Sequence, residues 1–251
     1  MRKSYVAGNW KMNNTVAESE ALARAVAAGV GAGNKADVAV IPPFLSVPAV
    51  VAALRGTAIK VGAQDVYFEK QGAFTGEISA GMLADAGCTF ALVGHSERRH
   101  VIGETDAIVR RKLDALLAAG LEAILCVGEK LDEREAGKTE DRLAAQIRAG
   151  LGGLDGALLS RVTVAYEPVW AIGTGKTATT AQAEDAHRFI RGLVAELAGK
   201  AAAEALRIQY GGSVKPDNAA ELLAQPDVDG ALVGGAALKA EPFLGIIAGA
   251  R

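Results

Sequence analysis

Eight short apolar segments recur along the chain, each rich in residues that favour β-strands. Between them lie longer segments of alanine, leucine, glutamate and arginine, in which apolar positions recur at helical spacing. Strands that alternate with helices in this way are typical of βαβ units and a parallel sheet. The predicted strands are residues 5–7, 38–41, 59–61, 90–93, 123–127, 162–165, 206–209 and 231–233.

Eight such units in 251 residues indicate an α/β fold, a closed (β/α)8 barrel with eight parallel strands surrounded by helices. An open, doubly wound sheet is the alternative. No linker or change of composition divides the chain, so we predict a single barrel domain over residues 1–251. Local signals mark helix starts with the capping boxes Thr15–Glu18 and Thr179–Gln182, and helix ends with Gly87 and Gly120.

Composition narrows the possible partners and the location. The formal net charge of −2 and the pI of about 6.0 provide no overall attraction to nucleic acid or to an anionic membrane, so an anionic ligand has to be held by local groups. No apolar run reaches membrane-span length, and the first residues lack a signal peptide's apolar stretch. Cys88 and Cys126 lie in apolar segments without a CxxC motif, which favours buried thiols in a reducing cytoplasm over a disulfide or a metal site.

Glu167 follows the strand at 162–165 and precedes Pro168. Because proline restricts the preceding residue to extended conformations, Glu167 is expected at the very end of the strand. Residues 168–176 begin with apolar side chains and end in a glycine-rich segment, which suits a lid that excludes water. A carboxylate beneath a lid is a candidate general base. The alternative is an ordinary solvated or salt-bridged glutamate.

Two further strand ends carry candidate chemistry. Asn9 and Lys11 are two residues apart and are expected on the same side of an extended segment, where the lysine could neutralise a phosphate or an oxyanion. The alternative is a lysine whose ammonium group simply reaches solvent. His95 precedes a predicted helix start, which would favour a neutral imidazole that donates a hydrogen bond. A structural loop histidine is the alternative, and His187 is expected on a solvated helix face.

Glycine-rich turns follow the last two predicted strands, at 211–213 and 234–235. Glycine lets backbone N–H groups approach a ligand closely, and the loops after strands 7 and 8 of barrel enzymes commonly bind phosphate. The alternative is that tight turns require glycine for conformational reasons alone. Two consecutive turns of this kind favour a phosphate site.

Several segments together resemble the triosephosphate isomerase family along essentially the whole chain. They are residues 8–13 (GNWKMN), 94–99 (GHSERR), 166–175 (YEPVWAIGTG), 72–77 (GAFTGE), 210–213 (YGGS) and 233–236 (VGGA), with Gln64. The resemblance implies a TIM barrel that interconverts dihydroxyacetone phosphate and D-glyceraldehyde 3-phosphate, a step of glycolysis and gluconeogenesis. Another phosphosugar isomerase or epimerase, or a catalytically silent binding protein, is the alternative.

The resemblance also implies residue roles. Glu167 corresponds to the general base, His95 to the neutral electrophile, and Lys11 to the cation that favours the anionic substrate, with Asn9 beside it. Glu97 is implied as a further catalytic residue near Lys11, and Cys126 behind the base. The implied phosphate-binding residues are Gly173, Ser213, Gly234 and Gly235, and the implied lid is 168–176. No metal and no organic cofactor is implied.

A homodimer is implied as well. In the family the loop after strand 3 inserts into the partner subunit near its lysine. Here that loop is 67–77, with Thr75 near its tip and Gln64 at the interface. Two positions depart from the family pattern: Thr180 replaces an expected proline after the lid, and Ala237 replaces a frequent serine beside the phosphate loop. The first is expected to loosen the start of a helix slightly.

Overall fold

The computed structural model describes residues 2–31, 34–173 and 177–251. Strands in these residues form a closed parallel barrel, in which each strand pairs with its neighbours in sequence and the last closes onto the first. The predicted (β/α)8 barrel is confirmed and the open sheet is excluded. The strands are β1 (Tyr5–Asn9), β2 (Asp37–Ile41), β3 (Lys60–Ala63), β4 (Phe90–Val93), β5 (Glu122–Val127), β6 (Val162–Tyr166), β7 (Ile208–Tyr210) and β8 (Gly230–Val233).

The helices pack around the outside of this barrel. They are α1 (Val16–Val30), α2 (Val47–Ala53), α3 (Ala80–Asp85), α4 (Asp106–Ala118), α5 (Leu131–Glu135), α6 (Thr139–Leu151), α7 (Gly156–Leu159), α8 (Thr180–Ala198), α9 (Lys200–Ala205), α10 (Pro216–Leu223) and α11 (Ala240–Ala248). Among the described helices, none combines the length and the apolar character needed to cross a membrane.

The predicted helix boundaries are confirmed. The Thr15 and Thr179 side chains each accept a hydrogen bond from the third helical residue, whose own side chain bonds back to the capping residue's backbone. Gly87 and Gly120 follow α3 and α4 with φ of +91° and +82°, conformations that glycine adopts without a steric penalty.

Two apolar layers lie on opposite faces of the barrel wall. Successive strand residues point to opposite faces, so Val6 packs among the helices, whereas Tyr5 and Ala7 point into the barrel interior. Almost every strand position is buried. Apart from a few buried polar side chains such as Thr163 and Gln209, the strands are apolar. The residues that follow the strands meet at the carboxyl-terminal face of the barrel.

The prediction that His187 lies on a solvated helix face is wrong. Its side chain is fully buried on α8, with Nδ1 3.2 Å from the Asp227 carbonyl and the ring edge-to-face against Tyr166. Buried residues recur along α8 at Ala183, His187, Ile190 and Val194, so His187 belongs to the helix's apolar stripe. Burial lowers the pKa of His187 to about 4.

This burial predicts an acid-sensitive fold. The unfolded chain binds a proton at His187 below about pH 6.5, whereas the folded chain does so only below about pH 4. The contribution of His187 to the free energy of unfolding is therefore fully present above about pH 6.5. It falls as the pH drops from 6.5 towards 4, by at most about 1.4 kcal/mol per pH unit. We expect His187→Gln to unfold with a shallower pH dependence than the parent in urea titrations at pH 4.5 to 7.

Asp65 contributes to the pH dependence of the free energy of unfolding with the opposite sign, because burial raises the pKa of that carboxyl to about 6. For this reason the difference between parent and variant is the informative quantity, and not the parent curve alone. Parallel pH curves for the two proteins would contradict the assignment to His187.

Candidate active site

A cavity of about 410 Å³ opens at the carboxyl-terminal face of the barrel. It is lined by residues that follow β1, β4, β6, β7 and β8. The predicted site residues among its lining are Asn9, Lys11, His95, Glu167, Gly173, Ser213, Gly234 and Gly235. The fold therefore brings together every catalytic and substrate-binding residue that the sequence suggested, except that Glu97 contacts the lining and does not form part of it.

Glu167 directly follows β6, as predicted, and its side chain is buried. One carboxylate oxygen, Oε2, accepts a hydrogen bond from the Ser96 backbone N–H at 2.9 Å. The other, Oε1, accepts from the Ser96 hydroxyl at 3.3 Å and lies 3.0 Å from His95 Nε2. Cys126 lies fully buried nearby. Its burial first, and the Glu167 charge second, raise the pKa of its thiol, so the thiol stays protonated.

His95 stands at the exit of β4, before one helical turn that leads into the π-helix Arg98–Ile102. The Glu97 backbone N–H points at His95 Nδ1, with a nitrogen–nitrogen distance of 3.3 Å. Since a ring nitrogen that accepts a hydrogen bond carries no proton, this contact assigns the neutral tautomer with its proton on Nε2. The protonated nitrogen is the one that faces Glu167 and the cavity.

The expectation of an extended segment at Lys11 is wrong. Lys11 has φ of +51°, a left-handed conformation that is uncommon for a residue other than glycine. Asn9 helps to form the turn, because its Oδ1 accepts a hydrogen bond from the Lys11 N–H at 2.9 Å. Lys11 Nζ lies 2.5 Å from Glu97 Oε1, so the implied contact between these two side chains is present.

Gln64 holds this turn from the other side. Its Nε2 donates to the Lys11 carbonyl at 2.6 Å and to the Ile41 carbonyl at 3.1 Å. An amide that bridges two loop carbonyls fixes the left-handed backbone of Lys11, and with it the direction of the lysine side chain. This contact within the chain was not predicted, and the placement of Gln64 at a subunit interface stays a prediction.

Glycines let two other strands approach Glu167 closely. A Cβ built on Gly211 would lie 2.8 Å from Glu167 Cγ, and one built on Gly128 would lie 1.7 Å from the Glu167 carbonyl oxygen. Both distances are too short for real carbon contacts. These two positions must therefore lack a side chain if Glu167 is to occupy its observed place.

Known proteins resemble this sequence over nearly its whole length. A sequence profile described as triosephosphate isomerase matches residues 4–250. The chain belongs to the triosephosphate isomerase family. A triosephosphate isomerase from Syntrophotalea carbinolica is 54% identical over 247 residues, which cover 98% of each chain. Triosephosphate isomerases from Chlorobium chlorochromatii (54% over 248 residues) and Rhodopirellula baltica (52% over 246 residues) match 98% of this chain, and 98% and 97% of their own lengths.

Thr180 and Ala237, the two residues that depart from the triosephosphate isomerase pattern, both contact neighbouring elements. The Thr180 hydroxyl donates to Glu221 Oε1 at 3.2 Å, which connects the start of α8 to α10. Ala237 is buried within the short helical turn Gly235–Leu238, and its N–H donates to the Gly234 carbonyl at 2.8 Å. A Cβ on Gly8 would lie 2.9 Å from the Ala237 side chain, so this turn packs tightly against β1.

Part of the predicted lid is described. Val169–Ala171 form one helical turn, and Gly173, with φ of +69°, lines the cavity. The lid residues 174–176 lie outside the described part of the chain. Glu129, which is fully buried, accepts hydrogen bonds from Tyr166 Oη at 3.1 Å and from Trp170 Nε1 at 2.9 Å. Sequence reasoning missed Glu129, although it too stands just beyond a strand, β5.

Buried charges that support the His95 segment were also missed. The Arg99 guanidinium donates to the Gly94 carbonyl at 2.7 Å and to the Cys126 carbonyl at 3.2 Å, and pairs with Asp106. A second cluster joins Lys112 to Asp65 and Glu104 at 2.6 and 2.5 Å, and Arg98 contacts both acids. These pairs fix the segment that carries His95 and Glu97 against α4 and the end of β3.

Proposed function

We propose that this cavity interconverts dihydroxyacetone phosphate and D-glyceraldehyde 3-phosphate. The observation that carries the proposal is the contact between a buried carboxylate and a protonated imidazole nitrogen, Glu167 Oε1 and His95 Nε2, at 3.0 Å within a lysine-containing cavity. Moving a proton between two neighbouring carbons requires a base at carbon and a proton donor at oxygen, close to each other.

In the proposed reaction Glu167 removes a proton from the carbon beside the substrate carbonyl. The electron pair of that C–H bond forms the carbon–carbon double bond of an enediolate, and the carbonyl π electrons move onto oxygen. His95 Nε2–H donates a hydrogen bond to that oxygen and passes protons between the two oxygens. Glu167 then returns its proton to the neighbouring carbon, which completes the isomerisation with base and imidazole regenerated.

Glu167 has to move for this reaction to occur, because Ser96 occupies both of its oxygens. Substrate binding would replace these contacts and bring the carboxylate over the carbon. We propose that Lys11 stabilises the negative charge that develops on the enediolate, in a site where a fixed charge acts more strongly than in water. Base, proton donor and fixed charge are sufficient for this chemistry, so we propose that it needs no metal and no organic cofactor.

We assign the phosphate group to the glycine-lined end of the cavity. Backbone N–H groups at Gly173, Ser213, Gly234 and Gly235 would bind it, because no Cβ shields the backbone at three of these positions. Lid closure by residues 168–176 would keep water from the enediolate, which otherwise eliminates phosphate.

Proton NMR in D₂O tests the proposed function directly. Incubation with dihydroxyacetone phosphate is expected to give glyceraldehyde 3-phosphate, with deuterium entering the carbons beside the carbonyl. Exchange without aldehyde would mean that the second proton transfer fails, which would implicate His95 or the lid. If the folded protein gives neither exchange nor product, the proposed isomerase activity is overturned in favour of a binding role.

We propose that the protein acts as a homodimer. Large apolar side chains are exposed on the loops that follow the first four strands, all on one side of the barrel: Met12 (95% exposed), Leu45 (86%), Val101 (79%), Ile102 and Phe74. Exposed apolar side chains that follow four neighbouring strands support a subunit interface at that side of the barrel. Thr75, at the exposed tip of the loop after β3, is proposed to reach the partner near its lysine.

Thr75→Arg is expected to dissociate the dimer. An unpaired guanidinium buried in the interface costs about 2–5 kcal/mol, which raises the dissociation constant by about 30- to 5,000-fold. Activity is expected to fall in parallel, because the inserted loop completes the partner's site. Sedimentation and turnover measured at one protein concentration check both effects.

Ala201→Arg, on an exposed position of α9, is the control with the same added charge. An unchanged sedimentation profile with full activity in Thr75→Arg would remove the inserted-loop argument.

We further propose one catalytic domain over residues 1–251 and a cytoplasmic location. Strands from both ends of the chain close the same barrel, since β1 pairs with β8, and α11 packs on α1. Cys88 and Cys126 are both free and buried, and burial raises the pKa of Cys88 to about 11. Unreactive thiols of this kind suit a reducing compartment. The proposed partner is the small phosphorylated triose, with no nucleic acid and no membrane.

A further inference from the structure

The charges at the cavity are unbalanced in a way that the proposed function does not explain. Lys11 is paired with Glu97, and Glu167 adds another negative charge. Together these three side chains leave the site with net negative charge, although the proposed substrate is itself a phosphate anion. An unpaired cation close to the phosphate end would add to the attraction that the backbone N–H groups exert on the anion.

Lys215 is that cation among the described residues that line the cavity. It is exposed, stands two residues after Ser213, and makes no side-chain ion pair or hydrogen bond with any residue that the structure describes. α10 carries two acids: Asp217 forms no ion pair with any residue that the structure describes, and Glu221 accepts a hydrogen bond from Thr180. The positive charge of Lys215 is therefore available to a ligand.

The backbone that carries Lys215 is fixed relative to the phosphate end. Asn218 Oδ1 accepts a hydrogen bond from the Lys215 N–H at 2.8 Å, and Asn218 Nδ2 donates to the Ser213 carbonyl at 3.3 Å. Pro216 follows Lys215 and begins α10. The Asn218 side chain thus ties Ser213 and Lys215 into a single turn, and both residues line the cavity.

We propose that Lys215 determines specificity for phosphorylated substrate, by attracting the phosphate anion to the cavity and favouring its encounter with the site. This inference rests on the proposed function, which supplies the phosphate ester. A single charge at a cleft mouth acts through the long-range field, which is felt over about 30 Å at 0.01 M salt but only about 3 Å at 1 M. Lys215 is therefore a binding residue and takes no part in the proton transfers.

The test compares Lys215→Gln, Lys215→Glu and Lys215→Arg at low and high ionic strength. At 10 mM salt, Lys215→Gln is expected to lower kcat/KM by about 3- to 10-fold with kcat changed less than about 2-fold, and Lys215→Glu to lower kcat/KM further. Lys215→Arg keeps the charge and is expected to restore kcat/KM. At 0.5 M salt the differences between the variants are expected to shrink to within about 2-fold.

Lys200→Gln is the matched control. Lys200 is exposed at the start of α9, on the opposite end of the barrel, and its loss changes net charge by the same amount. An equal loss of kcat/KM in Lys200→Gln would assign the effect to net charge and overturn the proposal. Unchanged kcat/KM in Lys215→Gln at 10 mM salt would overturn it as well.

Binding of glycerol 3-phosphate, measured by titration calorimetry, separates this inference from the proposed function. This phosphate ester has three carbons but no carbonyl, so it can bind without being isomerised. Absence of turnover in the parent protein would refute the isomerase, whereas equal glycerol 3-phosphate affinity in the parent and Lys215→Gln at low salt would refute the role of Lys215 alone. Weaker binding to Lys215→Gln that recovers in Lys215→Arg is the expected result.

Discussion

Glu167→Gln is expected to lower kcat by about 100- to 10,000-fold, the range that one positioned general base contributes. The amide has nearly the shape of the carboxylate but cannot accept a proton from carbon at neutral pH. Affinity for glycerol 3-phosphate is expected to stay within about 3-fold, because backbone N–H groups, and not the Glu167 carboxylate, are proposed to bind the phosphate. Steady-state kinetics and calorimetry on the same preparation check both statements.

Glu167→Asp is the matched comparison, because it retains a carboxylate but withdraws it by one methylene. Its kcat is expected to lie between those of the parent and Glu167→Gln. The thermal unfolding midpoints of both variants establish that the fold survives. Turnover of Glu167→Gln within about 10-fold of the parent would mean that another group removes the proton, and Glu129, also buried at a strand end, would then be the next candidate.

The fold could be predicted because its determinants are local. Each strand is a short apolar run, and the observed strands begin and end within two residues of the predicted ones. Closure of the sheet is not local, since β8 pairs with β1 across the length of the chain. Only the number of βα units favoured a barrel over an open sheet, and the register between strands had no signature in the sequence.

Site residues could be predicted where their position directly after a strand determines the face of the barrel at which they lie. Glu167, His95 and Ser213 all follow strands, and parallel strands of a barrel present their carboxyl ends at one face. The same rule, applied to the residues after β5, would have identified Glu129. What it could not supply is the partner of each side chain, since the contact of Glu129 with Trp170 joins residues 41 positions apart.

The errors arose where tertiary contacts override local preference. Lys11 was expected in an extended segment because it follows the first predicted strand, whereas its φ is +51°. Asn9 and Gln64 together provide the hydrogen bonds that hold it, and Gln64 comes from a different strand end. His187 was misplaced for a simpler reason: its charged neighbours on α8 obscured the helical spacing that places it among buried residues.

Lys11→Met is expected to lower kcat/KM by about 100- to 1,000-fold, the range for removing one group that stabilises charge in the transition state. Methionine fills a similar volume without the ammonium group. Loss of the Lys11 ammonium group leaves Glu97 without a cation. The Glu97 carboxylate is half-exposed and can be hydrated, so the fold is expected to survive. Both kcat and glycerol 3-phosphate affinity are expected to fall, because the charge favours the bound anion as well as the enediolate.

Salt distinguishes this effect from that of Lys215. A charge in contact with the reacting oxygen is little screened, so the loss in Lys11→Met is expected to persist at 0.5 M salt, whereas the loss in Lys215→Gln shrinks to within about 2-fold. Glu97→Gln is the control that removes the ion pair but keeps the cation, and it is expected to retain most of kcat. If Glu97→Gln were as impaired as Lys11→Met, the pair would act by holding the Lys11 turn in place. The charge of Lys11 would then not be the group that stabilises the enediolate.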